Sequence, residues 1–209
     1  MIYISDINDD GKIGKVFYMH NGINDIDYLG WNRTEKEKVG VFVEEPEDFS
    51  VDRYLYVNNK LIIRELSIEE VASNKIIELS DKCTQTIYNG IDVKLADNVI
   101  EHFTLDEQDQ LNLSGIGLKL LMGAETVAWH EDDESKPCRF YSATDAQKII
   151  TSLTVFKEYH ITYFRDLRIY IRSLTSAADI NNITYGFEIP EEFKSDVLKQ
   201  YEKLISTNS

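Results

Sequence analysis

Residues 149–178, IITSLTVFKEYHITYFRDLRIYIRSLTSAA, decide the fold class of this chain because they carry a long apolar heptad. Large side chains recur at alternating steps of four and three residues, which is the period of a helix that buries one continuous face. With Ser142 or Thr144 as its N-cap, this helix is predicted to run from about residue 143 to about residue 178. The heptad positions are Ile149, Leu153, Phe156, His160, Tyr163, Leu167, Tyr170, Leu174 and Ala177.

The apolar face of this helix is wider than a strict heptad, because Ile150, Ile161, Phe164 and Ile171 lie beside it. More than one neighbouring surface must therefore cover the helix. It is either the centre of a helical domain or a seam between subunits, and the sequence leaves both arrangements open. The predicted interaction residues are Ile149, Leu153, Phe156, His160, Tyr163, Leu167, Tyr170 and Leu174.

Two further helices are predicted before the long one. Ser67-Ile-Glu-Glu70 has the composition of a capping box, and apolar residues then recur at helical spacing up to Gly90. Thr104-Leu-Asp-Glu107 has the same composition and predicts a second helix to about Met122, with a stop at Gly123. The apolar residues of the first helix are Ala72, Ile76, Leu79, Cys83 and Ile87, and those of the second are Leu113, Ile116 and Leu120.

The remaining predicted segments after residue 66 are shorter. Residues 91–103 alternate enough to predict a short hairpin, and residues 124–141 are predicted to form a loop beside a buried Trp129. Pro190 suits the first position of a helix, so a last helix is predicted over about residues 190–206.

Residues 1 to about 65 have a different pattern, with short runs of β-branched and aromatic residues between turn residues. The sequence therefore predicts an α+β fold: a β module over residues 1–65 and a mainly helical domain over 66–209. The predicted strands are Tyr3-Ile4, Val16–Tyr18, Val39–Val43, Tyr54–Val57 and Leu61–Ile63, with loops around Gly22 and Gly30 and a turn at Asn58-Asn59-Lys60.

The segment from Asp6 to Gly11 resembles the first part of a calcium-binding loop, with oxygen-bearing residues at alternate positions and a glycine sixth. The position that needs a bidentate glutamate is Phe17, however, and strand-like runs flank the segment. We predict a hairpin turn at Asp9-Asp10-Gly11, with a weak calcium site as the alternative.

Composition narrows the possible functions. Among 209 residues the formal charge is −15 and the pI is about 4.6, which argues against binding to nucleic acid or an anionic membrane. The acidity favours solubility and a basic protein partner. Cys83 and Cys138 have no metal-ligand spacing and are expected to be ordinary thiols. We expect no membrane span, no targeting segment, and synthesis in a cytoplasm.

Motifs of catalysis and cofactor binding are not found in the sequence, so we expect no catalytic residues, no cofactor and no metal. Two histidines leave alternatives open. His130 and the acidic residues to Glu134 form either a solvated loop or a metal site helped by His102 or Cys138. His160, within the heptad, either satisfies its polar atoms in a core or acts as a pH switch.

A set of motifs follows in a fixed order between Ser67 and Ala178. They are Lys82-Cys83, Ile87–Gly90, the core Asp109-Gln110-x-Asn112-Leu113, Val127–His130 and the run Phe140–Ala146 that leads into the long helix. This order of motifs resembles an uncharacterised domain family found in phage and prophage tail-fibre and baseplate gene clusters. The resemblance covers roughly half of the chain and implies a structural or assembly role at a tail tip.

From these features we expect a non-enzymatic structural component of a phage tail or phage-tail-like particle, at the baseplate or fibre attachment. It would be made in the bacterial cytoplasm, join other tail, baseplate or fibre proteins in the virion tail, and form a homo-oligomer of three copies or a multiple of three. A cytoplasmic chaperone for tail-fibre assembly is the alternative. An enzyme acting on cell-wall polysaccharide is a third class, which needs two carboxylates in one cleft.

Overall fold

The computed structural model describes residues 2–20, 23–24, 41–132 and 135–208, and the chain divides into two compact units, Met1–Leu66 and Ser67–Ser209. The first unit has short strands and the second has helices with two hairpins. The predicted α+β class, with a β module before a mainly helical domain, is confirmed. The boundary between the units lies one residue from the predicted one.

The first unit contains antiparallel strands. They are β1 (Ile2–Ile7), β2 (Ile13–His20), β3 (Ile23–Asn24), β4 (Val41–Val43), β5 (Tyr54–Val57) and β6 (Lys60–Ile63). The first four form one sheet in the order β3-β2-β1-β4, and β5 pairs with β6. Ile4, Ile13 and Tyr54 form the core of this unit. The predicted loops around Gly22 and Gly30, and the first residues of the predicted strand Val39–Val43, lie outside the described residues.

Both predicted turns of this unit are hairpin turns. Gly11 has φ +82° and its amide donates to the carbonyl oxygen of Asn8 at 2.8 Å. Strand β2 begins at Ile13, so the residues that would complete a calcium loop are in a strand instead. Asn58 and Asn59 both have positive φ, as a tight turn between β5 and β6 requires.

The second unit is built around one long helix. Its helices are α1 (Ile68–Asn89), α2 (Glu107–Leu121), α3 (Ala143–Ser173), α4 (Ala177–Asn181) and α5 (Asp196–Asn208), with a 3₁₀ turn at Glu191–Phe193. Its strands are β7 (Ile91–Lys94), β8 (Ile100–Phe103), β9 (Thr126–Trp129) and β10 (Arg139–Ser142). The capping box at Ser67 and the hairpin at 91–103 are confirmed.

Two local predictions in this unit are wrong. Residues 124–141 are not one loop, because β9 and β10 pair antiparallel and bury Val127, Trp129 and Tyr141. The second helix is capped by Asp106, not by Thr104. The Thr104 hydroxyl donates instead to the Asp109 carboxylate at 2.9 Å, which leaves Asp106 to cap the amide of Asp109.

The long helix is also shorter than predicted. It ends at Ser173, because Leu174 turns to an extended conformation and Ser176 caps a new helix, α4. The last helix starts later than Pro190. Ser195 caps the amide of Leu198, and its own amide donates to the buried carboxylate of Asp166 at 2.7 Å, so α5 starts only at Asp196.

Helix α3 lies at the centre of the second unit and joins its two core clusters. The first half of α3 packs with the end of α1, with α2 and with both hairpins. The second half packs with the start of α1, with α4 and with α5. The same chain thus covers most of the wide apolar face predicted for this helix from several sides, but Ile161 is 45% exposed.

Candidate interaction site

Half of the eight predicted interaction residues of the long helix are buried in the core of their own chain. Ile149, Leu153, Tyr163 and Leu167 are buried, and the other four are half-buried. Leu174 follows the end of the helix and lines a groove of about 530 Å³ between the end of α3 and the start of α1. The structure therefore does not present these eight residues as one exposed seam.

His160 lies in an aromatic pocket of about 270 Å³ at the second half of α3. Its Nδ1 is 2.9 Å from the hydroxyl of Tyr185. The hydroxyl of Tyr163 donates to the carbonyl oxygen of Phe187 at 2.8 Å and accepts from the amide of Gly186 at 3.0 Å. These polar groups hold the segment after α4 against α3, which is a packing role.

Burial shifts the pKa of several side chains in and beside this pocket. Burial raises the pKa of Tyr163 to about 12 and raises the pKa of Tyr185 further. Burial also raises the pKa of the Cys83 thiol, whose Sγ lies 3.5 Å from the carbonyl oxygen of His160. Burial lowers the pKa of His160, so its neutral form is favoured. At neutral pH these shifts favour protonated phenols, a protonated thiol and a neutral imidazole.

We expect the burial of His160 to make folding sensitive to acid. Because its folded-state pKa lies below the ordinary value of 6.5, the unfolded chain takes up the proton first as the pH falls. This contribution to stability is complete above pH 6.5 and is lost as the pH falls through the folded-state pKa. Thermal unfolding of wild type and His160→Leu between about pH 5 and 8 measures it: wild type should lose stability relative to the variant on the acid side.

His102 provides the control with opposite sign. Its Nδ1 bonds the Asp92 carboxylate at 2.7 Å and its Nε2 bonds the carbonyl oxygen of Asn89 at 2.6 Å, and these contacts raise its pKa. The stability that these contacts contribute is complete below pH 6.5 and is lost as the pH rises through the folded-state pKa of His102. The stability of His102→Gln should therefore fall furthest below that of wild type in acid. Parallel profiles of wild type and His160→Leu would contradict the prediction for His160.

A second polar cluster joins the two hairpins. Glu101 of β8 is only 6% exposed and accepts hydrogen bonds from the Arg139 guanidinium and, at 2.8 Å, from the hydroxyl of Tyr141. Burial raises the pKa of Tyr141 to about 12, so this hydroxyl keeps its proton and donates. The Arg139 guanidinium also lies over the Tyr141 ring, 4.4 Å from its centroid. Among the described residues, the partners of this buried carboxylate join β8 to β10.

Arg139→Met is expected to lower the free energy of unfolding by about 2 kcal/mol, because it leaves the Glu101 carboxylate buried with one donor. The double variant Arg139→Met/Glu101→Gln removes the unpaired charge and should regain about half of that loss. Denaturant unfolding of the four proteins of this cycle measures both values. If the double variant were less stable than Arg139→Met, the loss of stability in Arg139→Met would not come from the unpaired Glu101 carboxylate.

The described residues around His130 do not form the metal site that the sequence left as an alternative. His130 stacks on Trp129 with ring centroids 5.1 Å apart, and its Nε2 is 3.8 Å from the carboxylate of Asp109. Both nitrogens of His102 are bonded elsewhere, and Cys138 is exposed. Asp133 and Glu134 lie outside the described residues. Among the residues that the structure describes, no three His, Cys, Asp or Glu side chains come together as a metal site.

The surface feature that sequence reasoning missed is an exposed apolar side of α2, which we name the α2 face. Its four large side chains are Leu111, Leu118, Leu121 and Met122, which are 69, 62, 86 and 88% exposed. Gly115 lies between them on the same side, and a Cβ added there would meet nothing within 4 Å. Large apolar side chains grouped at this exposure mark a contact surface.

The signal for the α2 face was present in the sequence. Leu113 and Ile116 were predicted as the buried face of this helix, and they are buried. A helix that also carries Leu111, Leu118 and Met122 at steps of seven and four is apolar on two sides, and only one of them can face a single core.

Comparison of the chain with protein-family models, curated proteins and solved structures finds no match. In the part of the chain that the structure describes, no helix combines the length and the apolar character needed to cross a lipid bilayer.

Proposed function

We propose that this chain is a non-enzymatic structural component of a phage tail or phage-tail-like particle, at the baseplate or the fibre attachment. The observation that carries a contact role is the α2 face, which exposes four large apolar side chains on a strongly acidic chain. The ordered motifs from Ser67 to Ala178 are the support for the phage tail.

The polar clusters of the second unit support the same proposal. The His160 pocket and the Glu101 cluster use their polar atoms for contacts within the chain. The partners are other tail, baseplate or fibre proteins and further copies of the chain, in three copies or a multiple of three. The charge of −15 disfavours nucleic acid as a partner. The chain would be made in the bacterial cytoplasm and would then enter the virion tail.

A chaperone for tail-fibre assembly is the second candidate, because an exposed apolar face on an acidic chain also suits transient binding of a client. It differs from the first candidate in where the protein ends up. A chaperone leaves before the particle matures, whereas a structural component stays.

Mass spectrometry of purified tail particles, with the copy number of this chain per particle, separates the two candidates. A structural component is expected at a multiple of three copies. Abundance in the lysate together with absence from the particles would overturn the structural role in favour of the chaperone. Leu118→Asp should reduce incorporation, while Ile77→Asp, whose side chain is similarly exposed on α1 at 61%, should not.

A further inference from the structure

The α2 face is complementary to itself. Leu111, Gly115, Leu118 and Met122 follow one another at steps of four, three and four along one side of the helix. When two identical helices pack antiparallel about a point between residues 116 and 117, Leu118 of each copy lies over Gly115 of the other. Leu111 of each copy then faces Met122 of the other. A two-fold contact makes each of these pairings twice.

Gly115 provides the space that such a pairing needs. The position beside its Cα is open in the structure, so a leucine from a second helix can enter it. On each side of this notch the exposed Leu111 and Leu118 project past the helix backbone. A large residue facing a small one on both copies allows the two helix axes to approach closely.

The charge distribution favours a second copy over a basic partner. Residues 110–124 form the longest stretch of the chain without an acidic residue, and Lys119 is the only charged residue in it. Two copies of a chain with charge −15 repel each other over most of their surfaces, so they can approach best through a face that lacks carboxylates. In the antiparallel pair Lys119 faces Ser114 of the other copy, not another lysine.

We propose that the α2 face binds the α2 face of a second copy of this chain as an antiparallel helix pair. This inference rests on the proposed function, since it names the partner of the same surface. Only a few exposed side chains per copy take part, so pairing buries less than about 1,200 Å² in total, below the usual range for specific interfaces. The pair is therefore weak, with a Kd of about 1–100 μM. A two-fold pair fits six copies in a particle.

Analytical ultracentrifugation of the full chain over a concentration series tests the pair. Wild type is expected to change from monomer to dimer across the micromolar range. Leu118→Asp should weaken the association at least about 100-fold, because it places two carboxylates in an apolar contact. Ile77→Asp, the control of equal exposure on α1, should leave the association unchanged. Circular dichroism of both variants checks that they are folded.

Two glycine variants test the geometry in a way that misfolding cannot imitate. Gly115 and Gly117 are both in α2 with open space beside them, so alanine at either position should raise helix stability by a similar amount. Only Gly115→Ala fills the notch, and it should weaken the dimer by about tenfold. Gly117→Ala should leave the dimer unchanged. Equal dimerisation of these two variants would overturn the antiparallel pairing.

Failure of this inference can be told apart from failure of the proposed function. Wild type that stays monomeric at every concentration, or equal weakening by Leu118→Asp and Ile77→Asp, overturns the α2 pair. If the chain is then still found in tail particles, the proposed function stands and another protein covers the α2 face. If the dimer is lost in Leu118→Asp but the chain is absent from tail particles, the α2 pair is supported and the structural role is overturned.

Discussion

Gly90→Ala is expected to lower the free energy of unfolding of the second unit by about 4 kcal/mol or more, enough to prevent stable folding. Gly90 ends α1 with φ +70° and ψ −156°, a region that is open essentially to glycine alone. A Cβ at this position would overlap the carbonyl oxygen of Phe103, which is backbone and cannot move aside as a side chain would. The cost of the strained backbone and the cost of the steric overlap therefore add at this residue.

The cost spreads beyond α1 because of what Gly90 connects. The next residue, Ile91, pairs with Phe103 at the start of the β7–β8 hairpin, and Phe103 is fully buried in the first core cluster. Any shift that relieves the overlap displaces Phe103 and disturbs this core. The measurement is denaturant unfolding followed by circular dichroism, or the yield of soluble protein if the variant does not fold.

Gly123→Ala separates the two costs. Gly123 also has positive φ, at +90°, but nothing lies within 4 Å of an added Cβ. Its loss should be only the cost of a left-handed alanine, about 1–2 kcal/mol. If Gly123→Ala and Gly90→Ala lost equal stability, the overlap with Phe103 would have no part in the effect.

The signals that predicted the fold correctly were local. Ser67 with Glu70, Gly90 at a helix end and Asn58-Asn59 in a tight turn each act through their own backbone, so the residue type alone indicates the conformation. Where two local signals competed, the sequence could not decide. Thr104 and Asp106 each have an acidic residue three positions later, and the hydrogen bond from Thr104 to Asp109 determines which of them caps α2.

Features that depend on distant contacts were the ones missed. Strands β9 and β10 have four residues each, and their alternation becomes visible only when Val127 pairs with Tyr141. Likewise, Leu111 and Leu113 have the same chemistry, and only the positions of α3 and of the β9–β10 hairpin determine that Leu113 is buried while Leu111 is exposed. The heptad of α3 indicated a covered helix correctly, but a periodic pattern does not state which chain covers it.

Leu167→Ala is expected to show that the chain itself covers this heptad. Leu167 is fully buried among residues of α1, α4 and α5, including Leu79, Ile180 and Leu198. Truncation removes apolar contact and leaves a cavity, so the free energy of unfolding should fall by about 3–4 kcal/mol. Because these contacts are within one chain, the loss should not depend on protein concentration, whereas a seam between subunits would give a concentration-dependent midpoint.

The α2 pair would itself add a concentration dependence, so the comparison is best made in the Leu118→Asp background. Denaturant unfolding at two protein concentrations at least about tenfold apart then reports the heptad contacts alone. Ile169→Ala is the matched control: this side chain is on the same helix but 56% exposed, and its loss should stay below about 1 kcal/mol. If the loss in free energy of unfolding from Leu167→Ala grew with protein concentration, the heptad would form contacts between subunits. A constant loss leaves the α2 face as the contact surface.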